Sequence, residues 1–345
     1  MEKEKLEGRP TVSLIPGDGI GPEICRAVRK VLRRAGAELD WEVVEIPPLE
    51  ERGRREIEQL HERVVASVQK NRFGLKGPIT TPVGSGHRSI TVALRQDLGL
   101  YANLRPARTV APRFSPCGEV DLVVVRENTE GLYSGIEHRV GEDFGESVKL
   151  ISRPASERII RFACEYALGN DREKVTAIHK ANILKCSDGL FLDVFRQLEE
   201  EYPQLTLEEM IVDNVAMQLV TDPGQFDVLV APNLYGDILS DLSAGLIGGL
   251  GLAPGGNIGE EFALFEAVHG SAPDIAGENK ANPLALLFSS LMMLEELGQE
   301  SVAERIDKAA RAVLRSGKDL TPDLGGDGTT DGLARALSAQ LEEVG

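Results

Sequence analysis

Cysteine is scarce in this chain and positive charge is in deficit. Cys25, Cys117, Cys164 and Cys186 are scattered through 345 residues with no CxxC pair, which argues against both a zinc cage and a disulfide framework. Lys and Arg number 38 against 55 Asp and Glu, for a formal charge of −17 and a pI near 4.9. A duplex binder needs a basic footprint, so neither nucleic acid nor an anionic membrane is expected as a partner. Any anionic substrate must then be held by local arginines. Long hydrophobic runs are missing too. The longest, Pro283 to Leu294, is broken by Ser289 and Ser290 and is far short of a membrane span; it reads as a buried core or interface helix. The start, Met-Glu-Lys-Glu-Lys-Leu-Glu, lacks the apolar core of a secretory signal and is too acidic for a transit peptide, so a reducing cytoplasm is the expected setting. No repeat, low-complexity tract or flexible linker is visible, nor is a GxxxxGK(S/T) phosphate loop, an HExxH zinc helix or a GxSxG elbow.

What is present describes a large globular α/β protein. The length exceeds one ordinary core, and hydrophobic residues at 42% with charged ones at 27% suit a soluble chain that folds without staples. Strand-like runs at Thr11 to Ile15, Trp41 to Ile46, Asp121 to Val125, Val175 to His179, Met210 to Val212 and Phe226 to Ala231 alternate with helical patterns, which predicts a largely parallel sheet. Pro22 opens a helix expected to run to about Ala35. The turn before it, Gly17-Asp-Gly19-Ile-Gly21, has GxGxG spacing rather than GxGxxG, so it is a weak dinucleotide fingerprint. Glycine-rich stretches at Gly84 to Gly86, Gly248 to Gly259 and Gly325 to Gly328 read as loops.

The chemistry gathers in Asn233-Leu-Tyr-Gly-Asp237-Ile-Leu-Ser-Asp241. Gly236 is expected to break the chain and Asp237 to cap a helix, which sets Asp237 and Asp241 on one face. In a dry cleft such a pair calls for a hard, oxygen-preferring cation such as Mg²⁺ or Mn²⁺; on a solvated face it is a cap followed by a surface acid. Arg95, Arg105 and Arg126 lie within a short window, Arg126 directly after a buried strand, where open α/β sheets bind ligands. Guanidinium groups clamp carboxylates, so three of them fit a small polycarboxylate. Lys180 and Asp213 each end a strand candidate, Lys180 offering a base, and Tyr133 offers a phenolic acid.

With these residues assembled, the chain closely resembles the β-decarboxylating dehydrogenases, the family of isocitrate, isopropylmalate and homoisocitrate dehydrogenases, from about Thr11 to Gly326. The signature is the Asn233 to Asp241 segment continuing through Ser243-Ala-Gly-Leu-Ile-Gly-Gly-Leu-Gly. The resemblance implies that family's own α/β fold, unrelated to Rossmann domains. It implies a discontinuous large cofactor-binding domain at 1–100 and 248–345, and a small substrate, metal and dimerisation domain at 101–247. The small domain would carry a clasp at 132–153 between the two protomers of a homodimer with shared active sites.

The same resemblance implies Mg²⁺ or Mn²⁺ on Asp213, Asp237 and Asp241, with Lys180 as base and Tyr133 as acid, Asp213 and Lys180 reaching in from the other protomer. Ser89, Thr91, Arg95, Arg105 and Arg126 would hold a tricarboxylate substrate. Thr91 stands where isocitrate enzymes have asparagine, and Val92 where homoisocitrate enzymes have an extra arginine. NAD would meet Ile79, Thr81, Asn182, Gly251, His269, Gly270, Ser271, Ala272, Asp274, Ile275 and Asn282. Asp274 would accept hydrogen bonds from ribose hydroxyls; NADP-using relatives carry lysine and tyrosine at 274 and 275. The activity implied is oxidative decarboxylation of isocitrate to 2-oxoglutarate with reduction of NAD, as in the tricarboxylic acid cycle. The alternatives are oxidation of homoisocitrate or 3-isopropylmalate, or a non-catalytic regulatory subunit. Regulatory members usually lose a metal aspartate, the tyrosine or the lysine, and this chain keeps all of them.

Overall fold

The computed structural model describes residues 8–47, 53–80 and 90–344, and the chain divides into two compact units. Unit 1 comprises residues 1–98, 110–114 and 248–345; unit 2 comprises 99–109 and 115–247.

Unit 1 begins with Thr11–Ile15 (β1), buried at four of five positions, as expected of a parallel strand covered on both faces. Gly21–Arg34 (α1) starts with Pro22, whose missing N–H would be unpaired there anyway, and buries a stripe of Ile24, Ala27, Val28, Val31 and Leu32. Asp40–Val43 (β2), Arg54–Asn71 (α2), Phe73–Lys76 (β3) and Ile90–Asp97 (α3) follow. Unit 2 is built from Ala102–Arg108 (β4), Asp121–Glu127 (β5), the exposed hairpin Glu137–Val140 (β6) and Phe144–Ser147 (β7), then Arg153–Gly169 (α4) and Lys174–His179 (β8). It continues with Ser187–Leu198 (α5), Thr206–Ile211 (β9), Val212–Thr221 (α6), Val228–Ala231 (β10) and Asn233–Leu246 (α7). The chain then completes unit 1 with Pro254–Ile258 (β11), Ala263–Ala267 (β12), Leu284–Glu296 (α8), Glu300–Ser316 (α9) and Thr330–Val344 (α10).

The strands of unit 1 run in the order β2-β1-β3-β12-β11, parallel except for β11 against β12. Those of unit 2 run β4-β5-β10-β8-β9, parallel except for β4 against β5. This is the α/β architecture that the alternating pattern predicts. The run from Pro283 becomes α8, in which Leu284 to Leu291 are buried without interruption, so the helix is core. Ser289 and Ser290 are tolerated inside it because both hydroxyls donate to backbone carbonyls.

Several elements differ from the expectation. The strand expected at Met210 to Val212 is Thr206–Ile211, an edge strand with no buried position and two acids, Glu208 and Glu209; a rule tuned to buried runs misses it. Asp213 therefore lies in the first turn of α6 rather than at a strand end. The strand at Trp41 to Ile46 is shorter, Asp40–Val43. β3, β4, β11 and β12 are additional; glycines in β11 and charged residues in β3 and β4 hide their buried character. The helix expected to open near Asp237 opens at Asn233, and Gly236 lies inside it. A Cβ at Gly236 would come within 2.6 Å of the Arg126 side chain, so this glycine allows close helix-to-strand approach instead of breaking the chain.

Candidate active site

In unit 2, the register of β4 with β5 pairs Asn103 with Arg126 and Arg105 with Val124, so the two arginines share one sheet face. Arg126 is buried, and its guanidinium donates through Nε and Nη2 to Asn233 Oδ1, at 3.1 and 2.8 Å, and through Nη1 to Asp237 Oδ1 at 2.5 Å. Tyr133 Oη donates to the other oxygen of Asp237 at 2.5 Å, with the Arg126 guanidinium carbon 5.0 Å from the ring centroid. Burial pushes the Tyr133 phenol above its ordinary range, and the hydrogen bond to Asp237 and that carboxylate's charge push the same way. The phenol is thereby kept as a proton donor. One turn on, Asp241 is raised by burial and then by the charge of Asp237, while Arg105 and Arg126 act in the opposite direction.

Two carboxylates one turn apart, one destabilised by the other, form an all-oxygen donor set that a hard divalent cation relieves. The residues fit such an ion. Asp213 does not join them within one chain. Its carboxylate pairs with the Lys180 ammonium, which holds it below its ordinary range. Among the described residues no three His, Cys, Asp or Glu side chains form a metal cage, so one chain supplies a pair.

The candidate cofactor residues lie mostly in unit 1, around the His269 to Ile275 turn. Ile20 N–H donates to Ser271 O at 2.9 Å, and a Cβ on Gly19 would sit 2.0 Å from that oxygen, so the first glycine turn is a backbone contact surface for this loop. Asp18 accepts from the Thr80 hydroxyl at 2.7 Å, and Thr80 and Ser271 share a hydroxyl hydrogen bond of 2.6 Å. Half-buried Ile79 precedes Thr80. Ala272 takes a left-handed φ of 37° and turns the chain into Pro273–Ile275, leaving Asp274 exposed and Ile275 half-buried; Gly270 is exposed. His269 Nδ1–H donates to Gly270 O at 3.0 Å, and its buried Nε2 lacks a protein partner, an orphaned acceptor suited to a bound cofactor. Burial lowers its pKa, keeping the ring neutral. Asn282 Oδ1 accepts Leu284 N–H at 2.9 Å, just before α8, and its amide donates to Asp323 at 2.8 Å, both groups lying against Gly251.

Thr91 and Arg95 lie one turn apart on α3. Arg95 pairs with buried Glu266 at 2.9 Å, and Lys76 pairs with the same carboxylate at 2.8 Å. Asn182 stands in unit 2, exposed in the turn after Lys180. Thr81 and Ser89 lie outside the described residues, as do Gly84 to Gly86.

Sequence reasoning missed Asn233, which aligns Arg126, and Glu266, which holds Arg95. Asn233 had a signal, its place four residues before Asp237 on the same helical face. Glu266 had none, since only the pairing of β12 with β3 brings it beside Lys76.

The isocitrate/isopropylmalate dehydrogenase family profile matches residues 11–337. The isocitrate dehydrogenase (NAD) catalytic subunit 5, mitochondrial, of Arabidopsis thaliana is 51% identical over 336 residues, 96% of this chain and 88% of that protein. A mitochondrial isocitrate dehydrogenase (NAD) regulatory subunit of Dictyostelium discoideum is 50% identical over 337 residues, 96% and 93% of the two chains. The crystal structure of isocitrate dehydrogenase from Methylococcus capsulatus superposes with a TM-score of 0.90 at 48% identity, covering 96% of this chain and 99% of that one.

Proposed function

This chain belongs to the isocitrate/isopropylmalate dehydrogenase family, and we propose that it catalyses oxidative decarboxylation of isocitrate to 2-oxoglutarate and CO₂ with reduction of NAD. The observation that carries this reading is the bonded set Arg126–Asp237–Tyr133, which joins a carboxylate clamp, a cation ligand and a proton donor. Overall identity is nearly equal to the catalytic and regulatory relatives, and the retained Tyr133, Lys180 and aspartates support the catalytic reading.

When bound, a divalent cation on Asp237 and Asp241, with Asp213 of a second copy as the further ligand, would supply Lewis acidity, and NAD would supply a hydride acceptor. The chain's own side chains do the rest. Lys180 of a second copy assists loss of the substrate hydroxyl proton. Arg105 and Arg126 hold carboxylates, with Arg95 as a third clamp. Once CO₂ has left, Tyr133 gives its phenolic proton to the carbon that carried it, a step typically worth about 10²–10⁴-fold. Ser89 and Thr91 read the carboxylate that separates isocitrate from isopropylmalate.

Assembly as a homodimer is part of this reading. In the hairpin Phe144 is 70% exposed, Met217 and Val220 on α6 are 53% and 56% exposed, and Ile238 on α7 is 55% exposed, apolar surface suited to a second copy. A reducing, cytoplasmic setting suits four free cysteines, the buried Cys25 and Cys164 thiols being pushed up to about 12.

The test is turnover by the purified chain alone with Mg²⁺ and NAD, on isocitrate, homoisocitrate and 3-isopropylmalate. Isocitrate is expected to win by a wide margin. Absence of turnover until a partner subunit is added would favour the regulatory reading.

A further inference from the structure

We infer that Asp188 and His179 are positioning residues that aim Lys180 by holding its turn at the backbone. The inference rests on the reading of Lys180 as the proton acceptor. Lys180 directly follows β8, and Lys180 N–H donates to Asp188 Oδ2 at 2.8 Å. Ala181 N–H donates to His179 Nδ1 at 3.1 Å. Lys180 C=O accepts from Ile183 N–H and Leu184 N–H, each at 2.9 Å. Both polar backbone groups of the lysine are therefore tied down, which fixes the direction in which its side chain leaves the chain.

Asp188 has no solvent exposure, and a buried carboxylate needs partners. It lies in the first turn of α5, where an acid commonly serves its own helix. Here its oxygens face elsewhere. Oδ2 takes the Lys180 N–H, and Oδ1 takes the Lys149 ammonium and, at 3.4 Å, the Ser187 hydroxyl. Lys149 Nζ also lies 3.2 Å from Tyr235 Oη and 4.2 Å from that ring's centroid, so the ion pair is braced from α7. Next to Lys149, Leu150 O accepts Gly131 N–H at 2.9 Å, two residues before Tyr133. One short segment thus ties the Lys180 turn and the Tyr133 turn of the same chain to one framework, each turn serving a different site of the proposed homodimer. His179 is buried and held neutral by that burial, with Glu209 and Asp188 pulling its pKa up and Arg196 down. Its Nδ1 stays a bare acceptor.

The experiment uses the full chain carrying Asp188→Ala, Asp188→Asn or His179→Ala, with steady-state kinetics and residue-resolved amide hydrogen exchange. A small misplacement of a catalytic group lowers turnover by about 10²-fold. Asp188→Ala is expected to lower kcat by that order, leave KM for isocitrate within about threefold, and speed exchange at the Lys180 amide but not at Ala177 within β8. His179→Ala should do the same at Ala181. Asp188→Asn keeps an acceptor, so Lys180 protection and most of kcat should return. Unchanged exchange at 180 and 181, or unchanged kcat with faster exchange, overturns the inference. If Asp188→Ala does not fold, His179→Ala and Asp188→Asn decide it. A parent chain that does not oxidise isocitrate defeats the base role of Lys180 instead, and the exchange data still decide the backbone restraint.

Discussion

The phenol of Tyr133 and the carboxylate of Asp237 are joined by a 2.5 Å hydrogen bond, while the second oxygen of Asp237 is held by Arg126 at the same distance. One aspartate therefore orients the proton donor, accepts the buried arginine and belongs to the carboxylate pair proposed for the cation. That shared load makes substitutions at each partner distinguishable.

Tyr133→Phe removes the acid while the ring keeps its place beside Arg126. The expected loss in kcat is about 10²–10⁴-fold, with KM for isocitrate nearly unchanged, measured as the initial rate of NADH formation. A loss confined to KM would assign Tyr133 to binding.

Cation removal should act through the Asp237 and Asp241 pair. Asp241 is raised in the folded chain, so the stability of its neutral form is present below the unfolded pKa and lost as pH rises through the folded value. At neutral pH without cation, Asp241→Asn should melt at or above the parent temperature. With Mg²⁺ at one hundred times its Kd the parent gains about 2.7 kcal/mol, and the variant gains far less. Thermal melts after chelation and after Mg²⁺ addition check both arms.

Gly236→Ala sets two effects against each other. Helix propensity favours alanine by up to about 1 kcal/mol. A Cβ 2.6 Å from the Arg126 side chain must displace it, and overpacking typically costs about 1–3 kcal/mol. Steric strain wins, so the variant should be less stable in urea and should raise KM through a displaced Arg126.

Cofactor choice should follow the exposed Asp274 and half-buried Ile275. A carboxylate accepts ribose hydroxyls and repels a 2′-phosphate. NAD is expected to be preferred, and Asp274→Lys with Ile275→Tyr should move kcat/KM toward NADP. Comparable kcat/KM for both cofactors in the parent would remove Asp274 from this role.

Acid should destabilise the chain partly through His269. Burial lowers its folded pKa below the ordinary 6.5, so its contribution is fully present above the unfolded value and lost as pH falls through that window toward the folded one. His269→Gln should flatten the slope of urea stability against pH below neutrality. An unchanged slope would place that proton uptake elsewhere.

The sequence by itself determined the alternating strands and helices, the helical face shared by Asp237 and Asp241, and the family, because these depend on residues close along the chain. Periodicity and short motifs are local, so they survive without coordinates. Only the tertiary structure showed that Gly236 admits Arg126, that Tyr133 and Arg126 converge on Asp237, and that Asp213 pairs with Lys180. It also placed Glu266 on Arg95 and Asp188 under the Lys180 turn. Each of these joins groups on different elements, and strand register and helix packing decide such contacts. No spacing in the sequence encodes them.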